Sequence, residues 1–512
     1  MVLLDGYSLS AKQLFKLCFG DDKVGVSDLT IEKVEKSFNF LSAVNSRYNI
    51  YGINTGLGPM AQYSIEEQQL LDLQYNLIRS HHTGFPHYLG PAECKAVFLA
   101  RLNSLVRGHS AVSKELIFHM VSMFNSGIVP CIPLHGGVGA SGDLVQLAHL
   151  AAVVIGEGIC YFNGNIIQAE EAYKLCGLTA KKLVLREGLA MMNGTSAMTG
   201  LAAINLEFAF TALGWNLAFS VMINELMEAF NDHYSVELNA VKKHQGQMII
   251  AAAARKILED SPLVRSRNNF WEKDQSDEFF REKVQEYYSL RCIPQILGPI
   301  YDTLLNGNRI IEDELNSSND NPITDIESSN IYHGGNFHGD YISLEMDKLK
   351  LVMTRATMLS ERQLNYLLNN RLNQKLPSFI NLSVLGLNFG LQGMQFTATS
   401  TTAENQTLSA SSYVHSISCN NDNQDIVSMG FNAATIAARV IDNTFEVLAI
   451  EAIAVIQAVD ALDLQGKLSS YSNNVYKELR NLFPVIGSDR ITSQEMEAIK
   501  DYLKNTRQEI LN

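Results

Sequence analysis

The hydrophobic positions of this chain gather into three long runs, at 198–231 (MTGLAAINLEFAFTALGWNLAFSVMINELMEAFN), 346–370 (MDKLKLVMTRATMLSERQLNYLLNN) and 432–464. Within each, polar residues return about once per helical turn and Ala, Leu, Met and Glu dominate, the signature of helices. All three exceed the mean helix of about a dozen residues. A helix apolar nearly all round needs neighbours on every side, so these runs predict a bundle or an oligomer core. Two short stretches, 182–185 and 328–332, are candidate strands. The alternation of strand and helix that builds a parallel sheet is missing, and the fold class is mainly α. The pattern divides the chain into a loop-rich, glycine-rich N-terminal domain (1–200), a central long-helix bundle (201–465) and a C-terminal helical appendage (466–512), with the polar stretch 266–286 covering a surface.

Composition narrows the function. The 512 residues are 46% hydrophobic and 18% charged, too apolar for a disordered chain and long enough for two or three units around a large core. A net charge of -14 argues against nucleic acid or an anionic membrane as partner, leaving small molecules and protein subunits. The seven cysteines are scattered, with no C-x-x-C pair, as expected in a reducing compartment. MVLLDGYSLS lacks the basic and apolar regions of a signal peptide. The uncharged window between Glu187 and Glu207 holds Asn193, Thr195, Ser196, Thr199 and Asn205, which suits a core helix better than a membrane span. The expected location is cytoplasmic.

The densest local signal is PLHGGVGASGDL, from Pro133 to Leu144, ahead of an apolar run. Gly137, Gly139 and Gly142 satisfy G-x-G-x-x-G, but the preceding strand of a dinucleotide-binding unit is missing, and no Lys-Ser/Thr follows as a phosphate-binding loop requires. A different chemistry is available at Ala140-Ser141-Gly142. Gly142 has no Cβ to obstruct attack of its nitrogen on the Ala140 carbonyl carbon in a tight bend. Loss of water from that ring and from the Ser141 side chain leaves an exocyclic methylene on an imidazolone, an electrophile that no ordinary side chain supplies.

This segment resembles the signature of the aromatic amino acid and histidine ammonia-lyases, whose Ala-Ser-Gly cyclises to 4-methylideneimidazole-5-one (MIO). Further blocks recur in family order: YGINTGLG from Tyr51, MNGT from Met192, YSLRC from Tyr288, DNP from Asp320, GGNFHG from Gly334 and NQD from Asn423. The resemblance spans roughly residues 20–465. It implies a fumarase/aspartase-like helical fold, a homotetramer with shared active sites, and a self-made MIO with no metal or nucleotide cofactor. The pairs His81-His82 and His333 with His338 lack the spacing of a metal site.

Carried over position by position, the family pattern makes Ala140, Ser141 and Gly142 the electrophile that takes the substrate amine, turning nitrogen into a leaving group. Tyr51, on a glycine-flanked loop suited to a mobile lid, becomes the base for the β-hydrogen; a phenol, with a reference pKa of about 10, needs its anion stabilised for that task. Arg291 becomes a two-pronged clamp on the carboxylate and is expected to be buried. Tyr288 and Asn193 hydrogen-bond the MIO region, Asn321 assists at the carboxylate, Phe337 packs on the substrate or prosthetic group, Gln424 sits beside the amine, and Gly58 allows close backbone approach.

Substrate selectivity in the family depends on a pair that here reads Ser80-His81, similar to histidine ammonia-lyases. Asn423-Gln424-Asp425 instead matches tyrosine and phenylalanine lyases, and a neutral Gln424 removes a charge that would favour a cationic imidazole. Whole blocks, including Val145-Gln146 in place of the usual Ala-Pro, resemble a bacterial subgroup of tyrosine ammonia-lyases. His81 can meet a phenol as readily as an imidazole. The resemblance therefore implies L-tyrosine going to trans-4-coumarate and ammonia. Histidine ammonia-lyase (urocanate) and an MIO-dependent tyrosine 2,3-aminomutase are the alternatives.

Overall fold

A computed structural model describes residues 1–267 and 283–511. The fold is mainly α-helical. Its longest helices are Ser196–Leu226, Ile293–Leu315, Asp340–Leu368 and Gly430–Ala461. Three of them match the long apolar runs. Most of the polar stretch 266–286 lies outside the described residues.

Contacts divide the chain into two compact units, each assembled from three segments: Met1–Glu207, Gly307–Asp347 and Ser411–Ala437 in the first, and Phe208–Asn306, Lys348–Ala410 and Ala438–Asn512 in the second.

In the second unit, the polar residues that recur along the long helices bond helix to helix. Asn405 Nδ2 donates to Thr357 Oγ1 (3.1 Å) and to the Val440 carbonyl (3.1 Å), and the Thr357 and Thr444 hydroxyls meet at 2.9 Å. Asn216 reaches Ser360 Oγ at 2.8 Å. These side chains are buried, where an unsatisfied polar group would cost about 1–3 kcal/mol. Trp215 Nε1 donates to the carbonyls of Leu503 (3.0 Å) and Thr506 (2.8 Å), tying the last helix, Ser493–Asn505, into the same unit.

The Ile293–Leu315 helix has no counterpart among the apolar runs. Pro299 lies inside it, and Gly298 and Gly307 weaken helix propensity. Tertiary packing overrides that local weakness: a Cβ on Gly298 would lie 2.6 Å from the Gln247 nitrogen, so the Gln245–Ile257 helix approaches at backbone distance.

Strands are short. Val2–Leu4 pairs in parallel with Val24–Val26, Ile159–Phe162 lies between Val129–Pro130 and Asn165–Gln168, and Ile323–Asp325 pairs with Asn330–Tyr332. The last pair includes 330–332 of the strand anticipated at 328–332, while Ser328 and Ser329 form the turn before it. The one anticipated at 182–185 does not form, because its N–H groups go to side chains: Leu183 donates to the Tyr75 hydroxyl (3.2 Å) and Val184 to Glu187 Oε2 (3.0 Å). Among the described residues, one helix, Ser196–Leu226, is long and apolar enough to cross a membrane, and 89% of its apolar window is buried inside the protein.

Candidate active site

The first unit builds a cavity of about 430 Å3 around the glycine-rich loop, within the roughly 300–1,000 Å3 of small-molecule sites. Among the anticipated site residues, Ser141, Tyr51, Gly58 and Asn193 line it, joined by Ser80, His81 and Gln424.

The loop is fixed from three sides. Gly139 and Gly142 have positive φ (76° and 68°). The Gly139 carbonyl accepts from Ser428 Oγ (3.0 Å) and from the Gly339 N–H (2.9 Å), and the Val138 carbonyl accepts from Met429 N–H (3.0 Å). On the other side Asp143 N–H donates to the Gly194 carbonyl at 2.9 Å. A Cβ on Gly142 would overlap that same carbonyl, so only glycine fits there.

Asp143 then turns back to accept the Met198 N–H at 2.8 Å at the start of the Ser196–Leu226 helix, where a carboxylate complements the exposed N–H groups. Burial pushes its carboxyl up to about 7, against the lowering effect of the Met198 and Ala197 N–H groups. The helix Leu144–Val154 follows at once. A helix therefore does open after the glycines. No strand of a parallel unit precedes them, since Val129–Pro130 pairs antiparallel.

Two amides hold Ser141. Gln424 Nε2 donates to Ser141 Oγ at 2.7 Å, and Asn193 Nδ2 donates to the Ser141 carbonyl at 3.3 Å. Gln424 is itself oriented by Cys419, whose Sγ lies 3.4 Å from Gln424 Oε1 and whose backbone pairs with that of Gln424. Asn420, Asn421 and Asp422 between them have positive φ (56°, 52° and 58°), a strained conformation for non-glycine residues.

Tyr51 sits on a turn organised by Asn54, which accepts the Ile50 N–H (2.8 Å) and donates to the Tyr48 carbonyl (2.8 Å). Its hydroxyl oxygen accepts the Gly58 N–H at 2.9 Å, and its own N–H donates to His333 Nε2 at 3.2 Å. Burial lowers the His333 pKa, which favours the neutral ring and so an acceptor nitrogen. Gly58 has φ of 54°, and a Cβ there would come 2.9 Å from Asn420 Nδ2, so backbone and amide pass closely as anticipated.

Ser80 and His81 close the Leu70–His81 helix. His81 Nδ1 lies 3.0 Å from the Leu77 carbonyl and 3.0 Å from Ser80 Oγ. A carbonyl only accepts, which assigns the Nδ1–H tautomer and leaves Nε2 as an acceptor when the ring is neutral.

The other anticipated residues lie off the cavity wall. Ala140 and Gly142 are buried on either side of Ser141. Asn321 is held with its neighbours by Arg186, whose fully buried guanidinium makes a bidentate pair with Asp320 (both 2.9 Å) and donates to the Asn321 carbonyl (2.9 Å). Its Oδ1 accepts the Gly334 N–H at 2.9 Å, steadying the GGNFHG loop on which Phe337 is half-buried. Tyr288 and Arg291 belong to the second unit, on a four-residue helix held by Gln363 Nε2 to the Ser289 carbonyl (2.7 Å) and Asn224 Nδ2 to the Leu290 carbonyl (3.1 Å). Arg291 is half-buried rather than buried. On the single chain its guanidinium turns to local partners, lying 4.7 Å over the Tyr288 ring and donating to Gln285.

Sequence reasoning weighed His333 only as a metal ligand, and passed over Asp143 and the Arg101–Asn319–Thr195 cluster behind Gly194. Arg101 donates to Asn319 Oδ1 (2.9 Å), and Asn319 Nδ2 donates to Thr195 Oγ1 (2.8 Å). Asp143 follows the tripeptide directly and was open to notice; the other pairings join distant segments.

The match to the aromatic amino acid lyase family model covers residues 9–481. The chain belongs to this family. An MIO-dependent tyrosine 2,3-aminomutase of Streptomyces globisporus is 34% identical over 98% of this chain and 94% of the relative. A tyrosine ammonia-lyase of Cupriavidus metallidurans (34% identical; 98% and 96% covered) and a histidine ammonia-lyase of Bacillus subtilis (35%; 98% and 96%) are similar over the same length. Solved structures of the Streptomyces globisporus tyrosine aminomutase (TM-score 0.94, 33% identity, 98% and 97% covered) and of Pantoea agglomerans phenylalanine aminomutase (0.95, 31%, 100% of each) share the fold. The protein is thus an MIO-dependent enzyme of the lyase and mutase family, acting on an aromatic amino acid, with a cofactor generated from its own chain.

The residues around Ser141 fit that cofactor. Gly142 lies in the left-handed region with no room for a Cβ, and Asn193 Oδ1 is buried beside the tripeptide with no partner among the described residues. Also among the described residues, no group of three His, Cys, Asp or Glu side chains is placed to hold a metal ion.

Proposed function

We propose that the substrate is L-tyrosine and that the enzyme is a 2,3-aminomutase, moving the amine from Cα to Cβ to give β-tyrosine. The observation that carries the substrate is His81: it lines the cavity with Nδ1 engaged by Leu77, so in the neutral ring its Nε2 can accept a phenol O–H. Gln424 supports tyrosine over histidine, because a neutral amide with Nε2 on Ser141 and Oε1 on Cys419 puts no carboxylate beside the amine. The mutase reading is supported by the similarity to tyrosine aminomutases of Streptomyces globisporus and Myxococcus and by the fold shared with the solved Streptomyces globisporus enzyme. The lyase that releases trans-4-coumarate and ammonia is the second reading, supported by the Cupriavidus metallidurans relative.

The MIO supplies an electrophile that makes the substrate amine a leaving group. The chain's own residues do the rest. Tyr51 takes the β-hydrogen as a proton, with the Gly58 N–H directed at its oxygen. Asn193 and Gln424 orient the Ala140-Ser141-Gly142 loop. Arg291, with Asn321, holds the carboxylate, while Tyr288 bonds the MIO region and Phe337 packs against the reacting groups. Tyr288 is 70% exposed on the isolated chain, which supports a homotetramer in which neighbouring copies complete each site. For a mutase, cavity and lid must keep the enoate and ammonia until the amine is re-added at Cβ.

The test is to incubate the purified protein separately with L-tyrosine, L-phenylalanine and L-histidine and quantify products. Tyrosine turning over fastest, with β-tyrosine accumulating, supports the proposal. Coumarate alone selects the lyase, and faster urocanate formation overturns the substrate.

A further inference from the structure

Two imidazoles outside the cavity join two helices that contribute to its wall. His82 caps the Leu70–His81 helix, and His149 lies in the Leu144–Val154 helix that follows the Ala140-Ser141-Gly142 loop. Their rings stack with centroids 3.8 Å apart and planes 23° from parallel.

Both rings are fixed in place. His149 Nε2 donates to the Thr83 carbonyl at 2.9 Å. Burial pushes the His149 pKa down to about 4, so at neutral pH this ring stacks uncharged. Gly158, with φ of 76°, brings its backbone against His82: a Cβ there would meet His82 Nε2 at 3.0 Å. One turn earlier, Arg79 makes two hydrogen bonds to Glu157 (3.1 and 2.6 Å), just beyond the Leu144–Val154 helix. The turn bearing Ser80 and His81 is therefore clamped twice to the helix that leads away from Ser141.

We propose that the His82–His149 stack sets the spacing between His81 and Ser141, and so makes His82 and His149 positioning residues for recognition of the substrate's ring hydroxyl. The inference rests on the tyrosine reading. A hydrogen bond weakens steeply with misplacement, so a change in this spacing weakens the bond to the hydroxyl while leaving contacts to the rest of the ring. Neither residue lines the cavity, so their effect is carried by the helices they join.

The test uses 4-coumarate and cinnamate, which differ only in that hydroxyl, as ligands for the full-length protein in titration calorimetry. The readout is the ratio of the two Kd values, with thermal unfolding in parallel. His81→Leu and His149→Leu should each weaken 4-coumarate relative to cinnamate by about two- to tenfold, the worth of one hydrogen bond. His149→Phe, which keeps a flat ring, should restore most of the ratio.

An unchanged ratio in His149→Leu beside a changed one in His81→Leu overturns the inference and leaves the tyrosine reading standing. An unchanged ratio in His81→Leu overturns that reading, and the inference with it. Equal loss of both ligands in His149→Leu with a lower Tm marks a merely structural role and also overturns the inference. Should His149→Leu fail to fold, His82→Leu, which removes the other ring of the stack, takes its place: a shift of about two- to tenfold in the ratio supports the inference and none contradicts it.

Discussion

Gln424 Nε2 lies 2.7 Å from Ser141 Oγ although 283 positions separate the two residues. The contact joins the NQD segment to the tripeptide, and its partner on the far side is Cys419. Gln424 thus reads as part of the machinery that shapes the loop. The Ser141 hydroxyl leaves as water when the MIO forms, so this bond belongs to the uncyclised loop, and Gln424→Ala should slow MIO formation by about 5- to 150-fold, the range for leaving a polar group without its partner. The rate at which the near-ultraviolet MIO band grows in freshly synthesised protein measures it, and a change below twofold contradicts the assignment.

Ser141 carries the chemistry of cofactor formation. The peptide containing Ala140-Ser141-Gly142 should be lighter than its sequence mass by two molecules of water in the wild type and unaltered in Ser141→Ala. Mass spectrometry reads this directly. The variant should also lose the near-ultraviolet MIO band and nearly all activity while keeping its circular dichroism. An unaltered wild-type peptide would count against the electrophile.

The tripeptide, Tyr51, Asn193, Ser80-His81 and Gln424 were legible because each lies in a short block whose residue types carry the chemistry, and the fold brings Ser141 and the other four blocks to one cavity. The long helices were legible for the same local reason. Less visible was whatever depends on distant partners. Pro299 and two glycines hid the Ile293–Leu315 helix, whose packing against the Gln245–Ile257 helix outweighs its propensity. The strand-like 182–185 gives its N–H groups to Tyr75 and Glu187, which no alternation pattern reveals. Arg291 was expected to be buried from its role alone, but burial depends on what surrounds it, and on the single chain it is half-exposed.

Gly142 offers a test of backbone geometry apart from side-chain chemistry. Gly142→Ala places a Cβ against the Gly194 carbonyl at a φ of 68°, in a region that costs an L residue about 1–2 kcal/mol before the overlap is counted. The variant should unfold at a lower temperature than Ser141→Ala and form no MIO. A stable Gly142→Ala protein with a normal MIO band would contradict the loop geometry.

Stability should respond to pH through Glu451, buried within the Gly430–Ala461 helix. Burial pushes its carboxyl up to about 8, only partly offset by Ser360. The folded state therefore holds this proton more tightly than the unfolded state, where a glutamate titrates near 4.3. Its contribution is fully present below about pH 4.3 and is lost as pH rises toward 8. Glu451→Gln removes that loss, so its Tm relative to the wild type should climb between about pH 5 and pH 8. Thermal unfolding across that range checks it, and a constant difference contradicts the buried acid.

A mutase that moves the amine from Cα to Cβ of L-tyrosine keeps the nitrogen atom it removes. The most direct measurement supplies L-tyrosine with heavy nitrogen in its amine, in buffer containing excess unlabelled ammonium, and follows the label by mass spectrometry. β-Tyrosine should appear with the heavy nitrogen retained. Coumarate with all the label in free ammonium, or tyrosine recovered unchanged, would contradict it.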